Sequence, residues 1–294
     1  MMDLLLPTIS QGLLWSLLAL GVYITFRVLD LADLTVEGSF PLGAAVAVSL
    51  LDKDVHPVAA ILAAALCGCL AGVVTGLLHT KLKIPALLAG ILTMIALYSV
   101  NLRIMGRANI SLLGKTTAFT ALQNALGLSY STAVLAAGLL ACVVFAEFMY
   151  WFFGTELGAA LRATGFNPQM IRAQGVNTNI MLLLGLGISN AFIAVTGALV
   201  AQSNGFADVG MGVGTIVIGL ASVIIGEVLF GTRSFKNSLI SVILGSIVYR
   251  LVIAVVLQMG MPPNDLKLFT AVLVAIALSL PAVKTKFQGR KAGL

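Results

Sequence analysis

The chain has 294 residues, of which 60% are apolar and only 10% charged, and its mean hydropathy is +1.07. A soluble domain carries about 25% charged residues because water must solvate its surface, so a water-soluble enzyme or binding module is excluded. The net charge of +6, from 17 Lys+Arg against 11 Asp+Glu, reports membrane orientation and not nucleic-acid affinity, because the cations sit in short connections between apolar runs.

A helix that crosses the hydrocarbon needs about 20 apolar residues. Spans are expected near 5–27, 36–51, 58–80, 85–105, 132–153, 179–202, 212–231, 238–258 and 267–283. The fold class is therefore all-α: one polytopic transmembrane helix bundle of about eight to ten spans, filling 1–294 as a single domain. The second run is short and is preceded by Asp30, Asp33 and Glu37, which predicts a broken or half-inserted element. Met1-Met2-Asp3 has no basic n-region, and no small-residue cleavage site follows the first run, so that span is expected to be retained.

Alternate connections differ in charge. One set holds Arg27, Lys81, Lys83, Arg162, Arg172, Arg233, Lys236, Lys284, Lys286, Arg290 and Lys291, eleven cations; the other holds Lys53, Arg103, Arg107, Lys115 and Lys267, five. Cations favour the cytoplasmic side, which puts the N-terminus outside and the C-terminus inside.

Small residues prepare the helices for close packing. Ala64, Gly68, Gly72 and Gly76 recur every four residues, and Gly219, Ser222 and Gly226 form a similar ridge. Cys67 and Cys69 lie two apart, about 200° around a helix, and cannot share a metal. An internal echo is also expected: Glu37 and Glu227 each edge a Gly/Ala-rich segment, as at the interrupted helices of repeat-built transporters.

The longest hydrophilic connection, Thr155 to Thr178, carries structure of its own. Thr155 can cap a short helix through Leu157, Leu161 and Thr164, with Gly165 as its expected stop. Asn167 then caps a second helix with Pro168 at its first position, and Gly175 ends it. Two short helices and a sharp turn predict a compact, protruding knob suited to docking.

The run Leu157-Gly158-x-Ala160-Leu161-Arg162-Ala163-x-Gly165-x-Asn167-Pro168, continuing to Arg172, Ala173 and Gly175-Val176-Asn177, resembles the coupling loop of bacterial ABC-importer permeases of the branched-chain amino acid, ribose and nucleoside family. Asp33-Leu34-Thr35-Val36-Glu37-Gly38-Ser39-Phe40 with Leu42-Gly43-Ala44, and Ile84-Pro85-Ala86-Leu87, are similar to that family's signatures at its second element and its fourth-span entry. Gly226-Glu227 departs from the usual Gly-Gly, and this, with Val36-Glu37-Gly38-Ser39-Phe40, looks closest to a branch tied to uptake of amino acids, aromatic ones among them.

The resemblance implies a permease subunit of an ATP-driven importer in the bacterial cell membrane, working as a homodimer within the lipid bilayer. Its loop at about 155–177, through Leu157, Gly158, Leu161, Arg162, Ala163, Gly165, Asn167, Pro168, Arg172 and Gly175, would dock an ABC ATPase subunit that holds ATP and Mg. An extracytoplasmic solute-binding protein would deliver the solute. No cofactor on this chain and no nucleic-acid partner are expected, and the chain itself is not expected to be an enzyme. Gly114-Lys115-Thr116 has the tail of a phosphate-binding loop, but Asn109 stands where its first glycine is required.

Ionisable groups inside a membrane cost roughly 2.5–3.5 kcal/mol each at a helix centre and therefore need partners or a task. Glu227 and Arg250 lie in neighbouring spans and can form an ion pair, or Glu227 can serve as a gate or substrate contact. Ser246, Tyr249 and Arg250 share one helical face. Glu37 either caps its own element or lines the pathway. Tyr98, Asn101 and Asn190, with Thr93, either line that pathway or hydrogen-bond between helices. The rival function is an ion-coupled secondary transporter using Glu37 and Glu227.

Overall fold

The computed structural model describes residues 2–260, 265, 268–272 and 274–275. The chain begins with α1, Met2–Tyr23, which continues as a π-turn over Ile24–Val28. A non-helical stretch at 29–35 leads to α2, Val36–Asp52. Then come α3, Pro57–Thr80, and α4, Ala86–Met105. A three-residue strand β1, Asn109–Ser111, and a short α5, Ala118–Leu126, precede α6, Tyr130–Gly154. Two short helices follow, α7, Glu156–Phe166, and α8, Pro168–Ala173, before the long α9, Thr178–Asn204. Strand β2, Phe206–Asp208, and a 3-10 turn at Val209–Gly212 lead into α10, Thr215–Phe230, and α11, Phe235–Gln258.

Seven helical segments among the described residues are long and apolar enough to cross a membrane. The eight spans expected between residues 5 and 258 all correspond to helices. Of the ninth, 267–283, residues 268–272 and 274–275 are helical and the rest lies outside the described residues. The short element α2 has 17 residues and misses the seven only by length. It is also among the most buried helices, wrapped by α3, α4 and α9.

The connections fall into two layers. At one end β1 pairs antiparallel with β2, Lys115 bridges to Asp54 at 3.0 Å, and the Tyr130 hydroxyl donates to the Ser203 carbonyl at 2.9 Å. We call this the ribbon end. At the other, Arg27, Arg162 and Phe235 meet around one hollow, forming the basic end. The two sets of cations separated in the sequence thus occupy opposite ends wherever they are described.

Helix contacts explain the small residues. On α3, Gly68 packs against the Asn190 carbonyl of α9 and Gly72 against that of Leu186, so close that a Cβ would collide with either oxygen. The opposite face of α3 exposes Val58, Leu62, Leu66, Leu70, Val74 and Leu77, a purely aliphatic stripe of the kind lipid solvates. The second ridge is shared: Gly219 touches α1 and Gly226 touches α11.

Candidate functional site

The stretch 29–35 leaves the basic end and runs inward, because α2 starts within the bundle and not at its edge. Its buried Asp33 takes two donors: the Thr35 amide on Oδ1 at 2.9 Å and the Asn190 side-chain amide on Oδ2 at 2.8 Å. Asn190 Oδ1 in turn accepts from Ser39 Oγ at 2.7 Å. Beside this, Thr35, Thr75 and Thr93 form a hydroxyl chain, with steps of 2.8 and 2.9 Å. These bonds tie the broken element to α3, α4 and α9 and satisfy polar groups that would otherwise be orphaned in a low-dielectric interior. Asn190 and Thr93 therefore hydrogen-bond between helices.

Nearer the ribbon end, α2, α4 and the segment 209–213 surround a cleft of about 340 Å³ lined by Glu37, Tyr98 and Asn101 among others. Three expected pathway residues meet here. Glu37 does not cap its own helix. Its Oε1 accepts from the backbone amide of Gly214 at 2.9 Å, at the N-terminus of α10, where an acid is favoured by the unpaired amides and the helix dipole. Asn101 is wholly buried and donates from Nδ2 to the Gly38 carbonyl at 3.2 Å. That carbonyl can only accept, so the amide orientation is set and Oδ1 faces away without a partner. An unpaired buried acceptor costs about 1–3 kcal/mol. Tyr98 is exposed on the face of α4.

The expected pair of Glu227 with Arg250 is not formed. Glu227, in the last turn of α10, binds Arg27 instead: Arg27 Nε donates to both carboxylate oxygens at 2.9 and 3.0 Å, and Nη2 adds a further contact. The π-turn widens the end of α1 and carries Arg27 to this position, a local irregularity often found at working sites. Arg250 lies too deep to reach Glu227. Its guanidinium sits 4.1 Å from the ring centroid of Trp15 on α1, a cation–π contact that suits a desolvated arginine. The neighbouring Ser246 Oγ donates to the Gly12 carbonyl at 2.9 Å, and the Tyr249 hydroxyl lies 3.2 Å from Thr270 Oγ1. That polar face is turned toward protein.

The connection 155–178 forms two helices with the expected caps: Thr155 Oγ1 accepts from Gly158 N at 3.3 Å, and Asn167 Oδ1 from Met170 N at 3.1 Å. Gly175 follows α8 with φ +86. One expectation is corrected. Gly165 does not stop α7, which runs on to Phe166; glycine is required because a Cβ would strike the Val28 carbonyl at the π-turn. The inner face of the knob packs on the bundle. Gly158, Leu161 and Thr164 are buried, Arg162 donates to the Phe153 carbonyl at 2.8 Å, and Arg172 Nε donates to Thr178 Oγ1 at 2.7 Å. Ala163 is half-buried while Asn167 and Pro168 are exposed. The outward face mixes exposed polar residues such as Gln169 and Arg172 with three large apolar ones, Leu157, Met170 and Phe166, the last 94% exposed.

Sequence reasoning missed three contributors. Asp33 was visible only as an acid before the short second run and as part of a signature, Arg27 only as an orientation charge, and Phe166 as one aromatic between Gly165 and Asn167. Asp33 and Arg27 find partners far along the chain, Asn190 and Glu227, whereas Phe166 is an aromatic left exposed.

A helical bundle with a polar broken element at its core and a structured loop clamped to one end defines a polytopic membrane permease. The chain belongs to the family described as branched-chain amino acid transport system / permease component, whose model matches residues 4–278. It is 44% identical over 276 residues to the tyrosine transport system permease protein of Clostridioides difficile (strain R20291), covering 94% of this chain and 90% of that one. An uncharacterized protein of Rickettsia prowazekii (strain Madrid E) is 34% identical over 95% of this chain and 98% of its own length. The ribose import permease protein RbsC of Escherichia coli (strain K12) is more distant, 24% identical over 74% of this chain and 66% of its own. No solved structure matches.

Proposed function

We propose that the chain is the membrane subunit of an ATP-driven importer in the bacterial cell membrane, carrying an aromatic amino acid inward. In this reading the basic end is cytoplasmic, two copies flank the pathway, a separate ATPase docks on α7 and α8, and a solute-binding protein delivers the amino acid at the ribbon end. The observation that carries it is the outward face of the clamped loop. An aromatic 94% exposed, on a loop that also exposes Leu157 and Met170, is an anchor of the kind that dominates protein interfaces, and the inner face of that loop leans on the π-turn at Gly165. A push on α7 would reach Val28 and hence the adjacent Arg27–Glu227 pair. The relation to the tyrosine permease supports the substrate class. The ion-coupled rival needs both glutamates free for a cation, and Glu227 already holds Arg27.

The test is co-purification with the ATPase and uptake of tyrosine into proteoliposomes. Wild-type chain should retain the ATPase and import only with ATP. Phe166→Asp should weaken ATPase retention by about 2 kcal/mol or more, roughly thirtyfold, while leaving the fold intact because the side chain touches solvent. Uptake driven by an ion gradient with no ATPase present would overturn the proposal.

A further inference from the structure

The cleft near the ribbon end has chemistry that transport by itself does not require. It is lined by the Glu37 carboxylate and by Ser99 and Asn101, the last wholly buried, and no cationic side chain among the described residues lines it. The rest of its wall is apolar or aromatic, with Met94, Ile95, Tyr98 and Val213. A lipid chain would suit those walls but would leave the Glu37 charge without a counter-ion. An anion would be repelled. A single carboxylate, one oxygen of which already accepts from the Gly214 amide, is too little for the six to eight ligands of calcium or the octahedron of magnesium. A primary ammonium fits each feature: it has three donors and no acceptor, its charge answers Glu37, and the Tyr98 ring offers a face for a cation or an aromatic body.

We propose that this cleft is a binding site for the ammonium end of an amino acid or amine, with Glu37 as counter-charge and the apolar wall selecting an aromatic or aliphatic body. It deepens the importer reading, on which its place in transport rests. It also gives each protomer a site of its own. One Glu37 oxygen is held by the Gly214 amide, so ligand binding touches the N-terminus of α10, the helix whose other end carries Glu227.

The full-length chain in nanodiscs, without an ATPase, provides the test, with tritiated tyramine as probe. Tyramine should bind saturably, L-tyrosine should compete, and hydroxyphenylpropionate, which has the same body without the amine, should not. Glu37→Gln keeps an oxygen for Gly214 but removes the charge, and should weaken tyramine binding roughly tenfold to a hundredfold. Ile95→Trp, placed from the exposed side of α4, should block the cleft without disturbing buried contacts. The proposal is overturned by absence of saturable binding, by equal competition from hydroxyphenylpropionate, or by unchanged binding in both variants. A chain that gives one of these results yet imports with its ATPase keeps the importer reading. A chain that binds as expected yet transports without ATP loses that reading and keeps the cleft.

Discussion

Glu37 and Glu227 look like counterparts in the sequence, and in the fold they do mark the two ends of α10. Their partners are of different kinds. Glu227 is matched by a full charge, since Arg27 contacts both of its oxygens. Glu37 is matched by a partial one, a backbone amide on a single oxygen, beside a cleft without a cation. A carboxylate whose charge is already answered braces two helices. One answered only in part remains able to attract a ligand. Burial is similar at the two sites, so the difference between brace and binding group comes from what the neighbouring element presents.

The comparison can be broken first at the brace. Gly165→Leu forces a side chain into the Val28 carbonyl at the π-turn, and its cost should lie at the top of the roughly 1–3 kcal/mol typical of overpacked sites. The thermal midpoint should fall, and ATP-driven uptake should be lost. A midpoint equal to wild type would show that α7 is not clamped there. Next comes Glu37→Ala, which leaves the Gly214 amide without its acceptor and should destabilise by about 1–2 kcal/mol. Glu37→Gln should cost much less, and equal losses in the two would mean that charge and not the hydrogen bond holds Glu37. The smallest effect belongs to Arg27→Ala and Glu227→Ala. Arg27 is half-exposed, so each should cost about 1 kcal/mol or less, and the double variant should be no worse than either single one. Strict additivity in that double-mutant cycle would deny the brace its coupling.

Much of the bundle was legible because lipid imposes a severe rule: backbone polar groups must be satisfied within the segment, so long apolar runs become helices. The spans, the caps at Thr155 and Asn167, and the α3 ridge followed from local pattern. The candidate site was legible only in part. Glu37, Tyr98 and Asn101 were recognisable as polar groups in apolar surroundings, but nothing local says that they share a cleft. Arg250 was open to a pairing with Glu227, as one of two readings, because their spans are neighbours. It sits on Trp15 instead because depth in the bundle, which the chain order does not express, decides which groups meet.

The sequence by itself determined the solvent, the helices, their alternation and the existence of a structured loop, all consequences of hydropathy, charge placement and capping within a few residues. Only the tertiary structure decided that Gly165 serves a contact and not a helix end, that the loop leans on the π-turn, and that Arg27 holds Glu227 while Glu37 is left with a backbone amide. Those outcomes depend on which helix lies beside which and at what height. That is set by close packing of small residues over the whole bundle, and no window of local sequence contains it.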